Sequence, residues 1–493
     1  MFPELLHRHA RRQPAQAALI AGQATLTYQE LLHATDGIAQ WLLDRGLKPG
    51  DRIAIHRHNS IELVVLMLAA FRAGLIAVPI NPRLKAAEIA YVLEHSGARL
   101  CFSEPALAGM VTTVEVVTQL PSFTSEFKPF AEAQSNPDAP ALLLYTSGTT
   151  AQPKGVIHSQ RTLYEGAAEL ARNSVDAGDT VLCATQISHI GGLGVVLLPA
   201  LIHGATIVLL GIFQPAAALE SIEQHGCTFM FLLPALLQQL VEEQTVRPRK
   251  VQSVRAFLVG GDTVPLSLQQ RASDMFQAQV LEGYAMTELL PIAINTGGAA
   301  RVGSLGPAAN ATICILDANG EAMPPGEVGE LVVQSPASCL GYWQNPEATA
   351  DLFAGGWLHT GDLASADADG YHWFKGRLKQ IIIRGGCNIS PQEVEEAFYR
   401  HPAVLESGVV GLPDAVFGEV PVAFLSLREG HEASADELLA FTRTLLSDYK
   451  VPVTIEFMDV LPKGLTGKID RRRLRDLLLA GQETLEASKT VPA

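Results

Sequence analysis

The 493-residue chain is predicted to be an α/β protein with a large N-terminal domain of mostly parallel sheets and a small α+β C-terminal domain. Two patterns support this prediction. Helix-like and strand-like segments alternate up to about residue 300, which is typical of parallel sheets covered by helices on both faces. Beyond that point strand-like segments separated by turns dominate, and a small mixed set of helices and strands follows. We place the boundary between residues 1–378 and 379–493.

The N-terminal elements alternate regularly. Residues 28–46 carry apolar side chains at helical spacing and end at Gly46, and residues 51–55 form a short apolar strand. The other segments of this part that fit the alternation are helices at 82–95 and 235–243, and strands at 76–80, 99–102, 228–233 and 256–260. This order predicts a sheet in which successive strands are joined by crossover helices.

Residues 191–213 are apolar enough to raise the alternative of a membrane span. Pro199, His203 and Gly204 interrupt the stretch. We therefore predict a buried helix at 195–203 that stops at Gly204, followed by a buried strand at 206–210. No membrane span is expected.

The C-terminal elements are shorter. Strands are predicted at 312–316, 329–334, 370–374 and 380–383. The last part of the chain is predicted to contain helices at 391–400 and 435–446, and strands at 406–410, 420–426 and 455–457. Its composition contains no low-complexity linker, so the joint at residue 379 is expected to be a short hinge.

The charge and the cysteines limit the classes of function. Lys and Arg number 36 against 51 Asp and Glu, which gives a formal net charge of −15. This balance excludes a typical nucleic-acid backbone binder, which needs a basic surface. None of the six cysteines forms a CxxC pair, and no continuous apolar stretch at the N-terminus indicates a secretory signal. The pattern predicts reduced thiols in a cytoplasmic protein.

Residues 142–156, LLLYTSGTTAQPKGV, carry the strongest chemical signal. An apolar strand leads into a loop rich in hydroxyl groups, where a glycine allows close backbone approach and Lys154 adds a positive charge. Such a loop can surround phosphate oxygens. It is not a Walker A loop, because Lys154 is followed by Gly155 rather than Ser or Thr. The alternative is an ordinary polar turn after a strand.

This loop resembles the signature loop of the adenylate-forming superfamily, which includes acyl-CoA synthetases, firefly luciferase and the adenylation domains of peptide synthetases. Four further segments carry the same resemblance in the same order, at residues 283–288, 356–362, 376–395 and 462–472. The pattern is most similar to acyl- or aryl-CoA ligases. It implies an ATP-dependent acid–thiol ligase that forms an acyl-adenylate, releases pyrophosphate, and then forms an acyl-CoA thioester.

The resemblance implies ATP and Mg²⁺ as cofactors and assigns residues to them. The residues that it assigns to ATP are Thr146, Ser147, Gly148, Thr149, Thr150, Lys154, Gly261, Tyr284, Asp362 and Arg377. An aromatic face at Tyr284 suits a purine, and the oxygen atoms of Thr287 and Glu288 suit magnesium. A Thr-Glu pair is more often an ordinary surface pair, and Asp362 has the alternative of a turn aspartate.

The catalytic residues implied by the resemblance are Lys468, Thr287 and His189. Lys468 matches a lysine that bridges the carboxylate and the α-phosphate as the bond forms, which is stabilisation of developing charge. Without the flanking motif, a solvated lysine is the default interpretation. A histidine packed under a loop is the alternative for His189.

The residues assigned to the acyl pocket are His189, Gly283, Ala285, Met286 and Leu290. Ala285 stands where the family usually has glycine. Its methyl group is expected to narrow the pocket, so we expect a small or medium apolar or aromatic acid.

The second half-reaction is expected to involve coenzyme A and a conformational change. The resemblance implies that residues 379–493 form a mobile lid that turns about a hinge at Lys379, and that Gly385 and Gly386 guide the thiol. An acyl carrier protein is the alternative acceptor. A non-catalytic nucleotide-binding protein is the alternative from another class, and a homodimer is left open.

Overall fold

A computed structural model describes residues 1–123, 130, 136–146, 152–262, 264–295, 301, 303–414, 416–464 and 467–479. The α-helices within these residues are α1 Phe2–Arg12, α2 Tyr28–Asp44, α3 Ile61–Ala73, α4 Ala86–Ser96, α5 Gln160–Ser174, α6 Leu198–His203, α7 Pro215–His225, α8 Pro234–Val246, α9 Leu266–Phe276, α10 Pro346–Leu352, α11 Pro391–Tyr399 and α12 Ala435–Arg443. The strands are β1 Ala17–Ala21, β2 Ala24–Thr27, β3 Arg52–His56, β4 Ile76–Ile80, β5 Leu100–Ser103, β6 Glu115–Val117, β7 Pro140–Thr146, β8 Lys154–Ser159, β9 Thr180–Cys183, β10 Thr206–Leu209, β11 Phe229–Leu232, β12 Ala256–Gly260, β13 Gln279–Met286, β14 Leu289–Asn295, β15 Thr312–Leu316, β16 Gly329–Gln334, β17 Gly341–Tyr342, β18 Leu358–Ala366, β19 His372–Arg377, β20 Ile382–Arg384, β21 Cys387–Ile389, β22 Val404–Asp414, β23 Gly418–Leu427 and β24 Thr454–Phe457.

The chain divides into two compact units. The segments of unit 1 are Met1–Gly261, Arg271–Ile313 and Val332–His359, and those of unit 2 are Asp262–Gln270, Cys314–Leu331 and Thr360–Ala493. Unit 2 thus takes in residues on the N-terminal side of Lys379. The boundary predicted at residue 379 marks a hinge and not the edge of a compact unit. It stays a prediction.

Unit 1 contains two large, mostly parallel sheets. The first has eight strands in the order β14-β13-β12-β11-β9-β10-β1-β2, with antiparallel pairing only in the outermost pair at each end. The second has seven strands in the order β17-β8-β7-β4-β3-β5-β6, and its antiparallel pairs are β7-β8 and β8-β17. The predicted α/β class with mostly parallel sheets is confirmed.

The most apolar stretches of the sequence are interior elements of unit 1. Apart from Glu62 and Arg72, every residue of α3 is buried, as expected of a helix that is apolar on all sides. All five residues of β4 are also buried. No helix in the described part of the chain is long and apolar enough to cross a membrane.

The stretch predicted as a helix at 195–203 starts earlier than expected. A π-helical segment, Gly191–Leu197, leads directly into α6, which ends at Gly204 with a φ of 74°. Glycines in this segment let the backbone run close to its neighbours. A Cβ atom on Gly192 would lie 2.3 Å from the carbonyl oxygen of Gln186. The predicted stop at Gly204 and the strand after it are present as β10.

One helix starts later than predicted. Helix α4 begins at Ala86 rather than Pro82, because the chain makes a turn before it. The backbone N–H of Lys85 donates to the Glu88 carboxylate at 2.8 Å, which satisfies an amide group that the helix itself cannot pair.

Unit 2 contains the small α+β fold. Its five-stranded sheet has the order β21-β20-β23-β22, with β24 paired parallel to β23. Buried residues from its strands and from α11 and α12, including Ile382, Phe398, Val409, Leu425 and Leu438, form one core cluster. This agrees with the small α+β C-terminal fold predicted from the sequence.

Candidate active site

The hairpin of β7 and β8 carries the ends of the predicted phosphate loop. Thr146 and Lys154 are register partners at the end of this hairpin where the connecting loop begins and ends. Four predicted phosphate-binding residues, Ser147, Gly148, Thr149 and Thr150, lie outside the described residues. The Lys154 ammonium nitrogen lies 4.6 Å from the centre of the Tyr342 ring, within range of a cation–π interaction.

Thr287 and Glu288 form the turn between β13 and β14. Hydrogen bonds hold the backbone of this turn at both residues. The Thr287 carbonyl oxygen lies 2.7 Å from His158 Nε2, and the Glu288 carbonyl oxygen accepts from Cys339 N at 2.7 Å. Burial lowers the pKa of His158 to about 4, so its ring is neutral and Nε2–H donates to Thr287. The turn is therefore held to β8, the strand that also carries Lys154.

The Glu288 side chain is almost fully buried and hydrogen-bonded. The Tyr342 hydroxyl donates to Glu288 Oε1 at 2.7 Å. Burial, and the neighbouring Glu288 carboxylate, raise the pKa of Tyr342, so its hydroxyl keeps its proton and acts as the donor. Neither Tyr342 nor His158 was singled out from the sequence, since each lies in a stretch with no recognisable chemistry of its own.

The donor set at this turn fits magnesium. Mg²⁺ is usually held by one or two carboxylates together with substrate phosphates and water, rather than by a complete cage of protein ligands. Glu288 supplies one carboxylate with Thr287 beside it. No cluster of three or more His, Cys, Asp and Glu side chains suited to a metal occurs within the described residues.

The predicted acyl-pocket residues lie on β13, β14 and the segment before the π-helix. Gly283, Ala285 and Met286 are on β13, Leu290 is on β14, and Asn81 Nδ2 lies 3.0 Å from Nε2 of His189. Asn81 was not predicted, because its position on the turn after β4 carries no sequence signal.

Two large apolar side chains fill the space beside the glycines of the π-helical segment. A Cβ atom on Gly194 would lie 2.3 Å from Leu290 Cδ2, and one on Gly191 would lie 2.8 Å from Cε1 of Phe231. Both Leu290 and Phe231 are buried. Nearby, a Cβ atom on Gly260 would lie 2.4 Å from the Gly283 carbonyl oxygen. The backbone and side chains are therefore close-packed in this region.

Tyr284 and Gly261 occupy neighbouring positions at the ends of adjacent strands. Tyr284 is partly exposed on β13, and Gly261 follows β12 with a φ of 86°, a conformation that favours glycine. The residue after it, Asp262, belongs to unit 2.

Unit 2 brings Asp362 and Arg377 together. They are register partners on β18 and β19, and Arg377 Nε lies 3.1 Å from Asp362 Oδ1. Asp362 is buried, whereas about half of the Arg377 side chain is exposed. An ionised carboxylate with an adjacent guanidinium group offers both an acceptor and donors to a polar ligand.

Lys468 interacts electrostatically with both members of this pair. Burial lowers the pKa of Lys468 below its usual range, and the guanidinium groups of Arg377 and Arg471 lower it further. The carboxylates of Asp262 and Asp362 act in the opposite direction. All five residues belong to unit 2. Asp262 was missed in the sequence, although it directly follows the predicted Gly261.

A buried ion pair anchors the segment that carries Lys468. Arg471 donates to both carboxylate oxygens of Glu395 on α11, at 3.1 and 2.6 Å. The Val409 backbone N–H donates to the same carboxylate at 2.7 Å. This two-pronged geometry fixes Arg471, three residues beyond Lys468, against the core of unit 2.

The predicted hinge and thiol-path residues occupy short turns. Lys379 is in a 3₁₀ turn, Leu378–Gln380, directly after β19. Gly385 and Gly386 connect β20 to β21 as a two-residue hairpin turn, with φ values of 56° and 84°. Two successive positive φ angles are typical of the type I′ turn and explain the glycine pair.

Comparisons with known proteins show what the chain is similar to. The model of the family described as AMP-binding enzyme matches residues 6–343, and that of the AMP-binding enzyme C-terminal domain matches residues 393–468. A feruloyl-CoA synthase from Amycolatopsis sp. is 36% identical over 479 residues, which cover 95% of this chain and 97% of the relative. A fatty acid–[acyl-carrier-protein] ligase from Streptomyces coeruleorubidus is 32% identical, covering 95% of this chain and 94% of its own length.

Among solved structures, the o-succinylbenzoate CoA synthetase from Bacillus subtilis, in complex with its acyl-adenylate intermediate, is similar to the chain. The TM-score is 0.86 at 32% identity, over 96% of this chain and 98% of that one.

Proposed function

The chain belongs to the AMP-binding enzyme family, and we infer that its site residues activate a compact apolar or aromatic carboxylic acid. The protein is an AMP-forming acid–thiol ligase that uses ATP and coenzyme A. In the first step a carboxylate oxygen attacks the α-phosphorus of ATP, the bond from that phosphorus to the bridging oxygen breaks, and pyrophosphate leaves. In the second step a thiol attacks the acyl carbon, loses its proton, and AMP leaves with the electrons of the broken C–O bond.

The surroundings of Lys468 carry the proposal. A partly buried ammonium group near the Asp362–Arg377 pair is suited to interact with negative charge on the carboxylate and on the α-phosphate as the bond forms. Stabilisation of this kind is commonly worth about 3–4 kcal/mol in the transition state. In this proposal Asp362 accepts hydrogen bonds from the ribose hydroxyls, and Arg377 donates to the ribose or the phosphate.

The phosphate groups of ATP are assigned to residues at the ends of β7 and β8. Thr146, Lys154 and the loop between them contact the phosphate oxygens, and Tyr284 stacks against adenine beside Gly261. Thr287 and Glu288 hold Mg²⁺, which neutralises phosphate charge when bound. The hydrogen bonds from His158 and Tyr342 support this assignment, because they fix the turn that carries both proposed ligands.

The thiol step is assigned to the C-terminal part. We propose that residues 379–493 turn about Lys379 after adenylation, so that Lys468 gives way to the Gly385-Gly386 turn, which guides the thiol. An acyl carrier protein is the second candidate acceptor. The reason to test it is the 32% sequence identity to a fatty acid–[acyl-carrier-protein] ligase. Supplying coenzyme A and a phosphopantetheinylated carrier protein in parallel distinguishes the two.

The experiment that tests the proposed function is acid-dependent exchange of labelled pyrophosphate into ATP. A panel of carboxylic acids is supplied with ATP and magnesium, and AMP release is then measured after addition of coenzyme A. We expect exchange with benzoate-type or medium-chain acids, and AMP release only when the thiol is present. Binding of ATP without exchange for any acid would favour a non-catalytic nucleotide-binding protein.

The packing near the predicted acyl pocket supports a compact acid. Leu290 fills the notch that Gly194 leaves in the π-helical segment, and Ala285 packs against the core of unit 1. Inserting extra atoms into a packed site of this kind typically costs about 1–3 kcal/mol. A cost of that size disfavours a long alkyl chain by roughly tenfold or more.

Substituting Ala285→Gly is expected to improve long-chain acids selectively. The loss of the methyl group is expected to raise catalytic efficiency with palmitate by roughly tenfold relative to benzoate. Efficiencies with benzoate, hexanoate and palmitate are compared in both proteins. Ala256→Gly is the matched control, because Ala256 is buried on the neighbouring strand β12 and has no assigned role. Palmitate as the best substrate of the unsubstituted enzyme, with no gain in the variant, would contradict the compact pocket.

A further inference from the structure

Tyr342 joins two oppositely charged groups that the proposed function assigns to one ligand. Its hydroxyl donates to Glu288 Oε1 at 2.7 Å, and the face of its ring lies 4.6 Å from the ammonium nitrogen of Lys154. One side chain thus contacts both a proposed metal ligand and a proposed phosphate ligand. The aromatic ring has the correct polarity for this, since its face attracts a cation while its hydroxyl proton attracts a carboxylate.

The backbone around Tyr342 is fixed independently of these contacts. Tyr342 and Val156 are register partners in the pairing of β17 with β8. Tyr342 N donates to Thr349 Oγ1 at 2.9 Å, and Trp343 N donates to the Gly155 carbonyl oxygen at 2.7 Å. The ring therefore projects from a rigid support, and its hydroxyl has a defined direction.

Strand β17 passes so close to α10 that the residue before Tyr342 must be a glycine. Gly341 has a φ of 122°, and a Cβ atom there would lie 2.5 Å from Cγ2 of Thr349. The close contact with α10, which carries Thr349, sets the position of the following residue. From this position the Tyr342 hydroxyl reaches the Glu288 carboxylate in the turn between β13 and β14.

Glu288 depends on Tyr342 for its orientation. The carboxylate is almost fully buried, and a buried charged group is strongly destabilised without a hydrogen-bond partner. A hydrogen bond to a charged group is also roughly twice as strong as one between neutral groups. With Oε1 held by Tyr342, the rotation of the carboxylate is restricted, and the direction of its second oxygen is set before a ligand arrives.

We propose that Tyr342 is a positioning residue that aims the Glu288 carboxylate and the Lys154 ammonium group at the metal and the phosphates of Mg·ATP. The inference rests on the proposed function, because that function supplies the roles of Glu288 and Lys154. It assigns no contact with the substrate to Tyr342 itself. Its effect is on the binding of the metal-bound triphosphate, and AMP, which lacks the β- and γ-phosphates, is unaffected.

The test is calorimetric titration of the full-length protein, without any acid, with Mg·ATP, with ATP in EDTA, and with AMP. Tyr342→Phe is expected to weaken Mg·ATP binding about tenfold and to change AMP binding by less than about twofold. The loss is expected to be much smaller for ATP in EDTA, since Glu288 acts through the metal. Tyr342→Leu also removes the ring face, and a further weakening of about threefold is expected.

The matched control is Tyr28→Phe. Tyr28 is fully buried in unit 1, and its hydroxyl donates to the Ala205 carbonyl oxygen at the same distance, 2.7 Å. This variant loses a tyrosine hydrogen bond of the same length, to a neutral acceptor, and is expected to lower the melting temperature without changing either affinity. In a Glu288→Gln background, Tyr342→Phe is expected to weaken Mg·ATP binding by less than about twofold, because the two residues act together.

Two results would overturn the inference. One is an unchanged Mg·ATP affinity in Tyr342→Phe, and the other is an equal loss for Mg·ATP and AMP, which indicates general loosening of the site. Failure of the proposed function gives a different result. In that case the unsubstituted protein shows no pyrophosphate exchange, while the comparison between Mg·ATP and AMP can still be made.

Discussion

Replacing Lys468 by alanine is expected to reduce acyl-adenylate formation by roughly 10²–10³-fold, because an ammonium group that stabilises developing charge is lost from the transition state. Thioester formation from supplied acyl-adenylate is expected to stay within about threefold of the unsubstituted enzyme, since the α-phosphate bond is already made. Single-turnover assays of the two half-reactions measure each step separately. The loss is expected in the rate of adenylation rather than in the affinity for the acid.

The neighbouring Lys463 provides the control for Lys468. It forms an ion pair with Glu406 at 2.5 Å and has no assigned role in catalysis. Lys463→Ala is therefore expected to retain both half-reactions. Lys468→Arg keeps a positive charge on a bulkier, planar group, and we expect partial recovery of adenylation. An equal loss of both half-reactions in Lys468→Ala would contradict a role confined to the first step.

Replacing Lys379 by proline is expected to separate the half-reactions in the opposite direction. Lys379 lies in a 3₁₀ turn, and the φ angle of proline fits such a turn. Proline therefore keeps the observed conformation and prevents rotation about the N–Cα bond of residue 379. Adenylation is expected to persist within about threefold, whereas thioester formation falls on the order of 10²-fold, because the second step needs the turn about the hinge. Pyrophosphate exchange and acyl-CoA formation are the two measurements.

Lys379→Ala is the matched variant for the hinge. It removes the same side chain without restricting φ, and both steps are expected to continue. Thermal unfolding of the two variants shows whether proline has damaged the fold. A folded Lys379→Pro protein with both half-reactions intact would show that the hinge lies elsewhere.

Local sequence patterns were sufficient for most of the secondary structure. The bounds of β12, β15 and β16 are those predicted, because apolar strands between turn residues are defined by their own side chains. The start of α4 and the π-helical segment before α6 were not foreseen. The π-helical segment packs against residues distant in the sequence, with Gly191 beside Phe231 and Gly194 beside Leu290. The start of α4 instead follows from a turn and the local hydrogen bond from Lys85 N to the Glu88 carboxylate. Periodicity records which face is buried, but not how closely a neighbour approaches.

The functional motifs were likewise visible in the sequence, since their residues are contiguous and their resemblance to a known family covers much of the chain. The sequence by itself determined the α/β class, the reaction class and the candidate residues of each motif.

Only the tertiary structure decided which residues hold these motifs in place. His158 is 129 residues from Thr287, and Tyr342 is 54 residues from Glu288 along the chain. Neither separation has a signature in a single sequence, because the pairing of β17 with β8 and the turn after β13 bring the partners together. Whether two groups form a hydrogen bond depends on differences of a few tenths of an ångström in the distance between them. Folding sets those distances, and the order of residues alone does not.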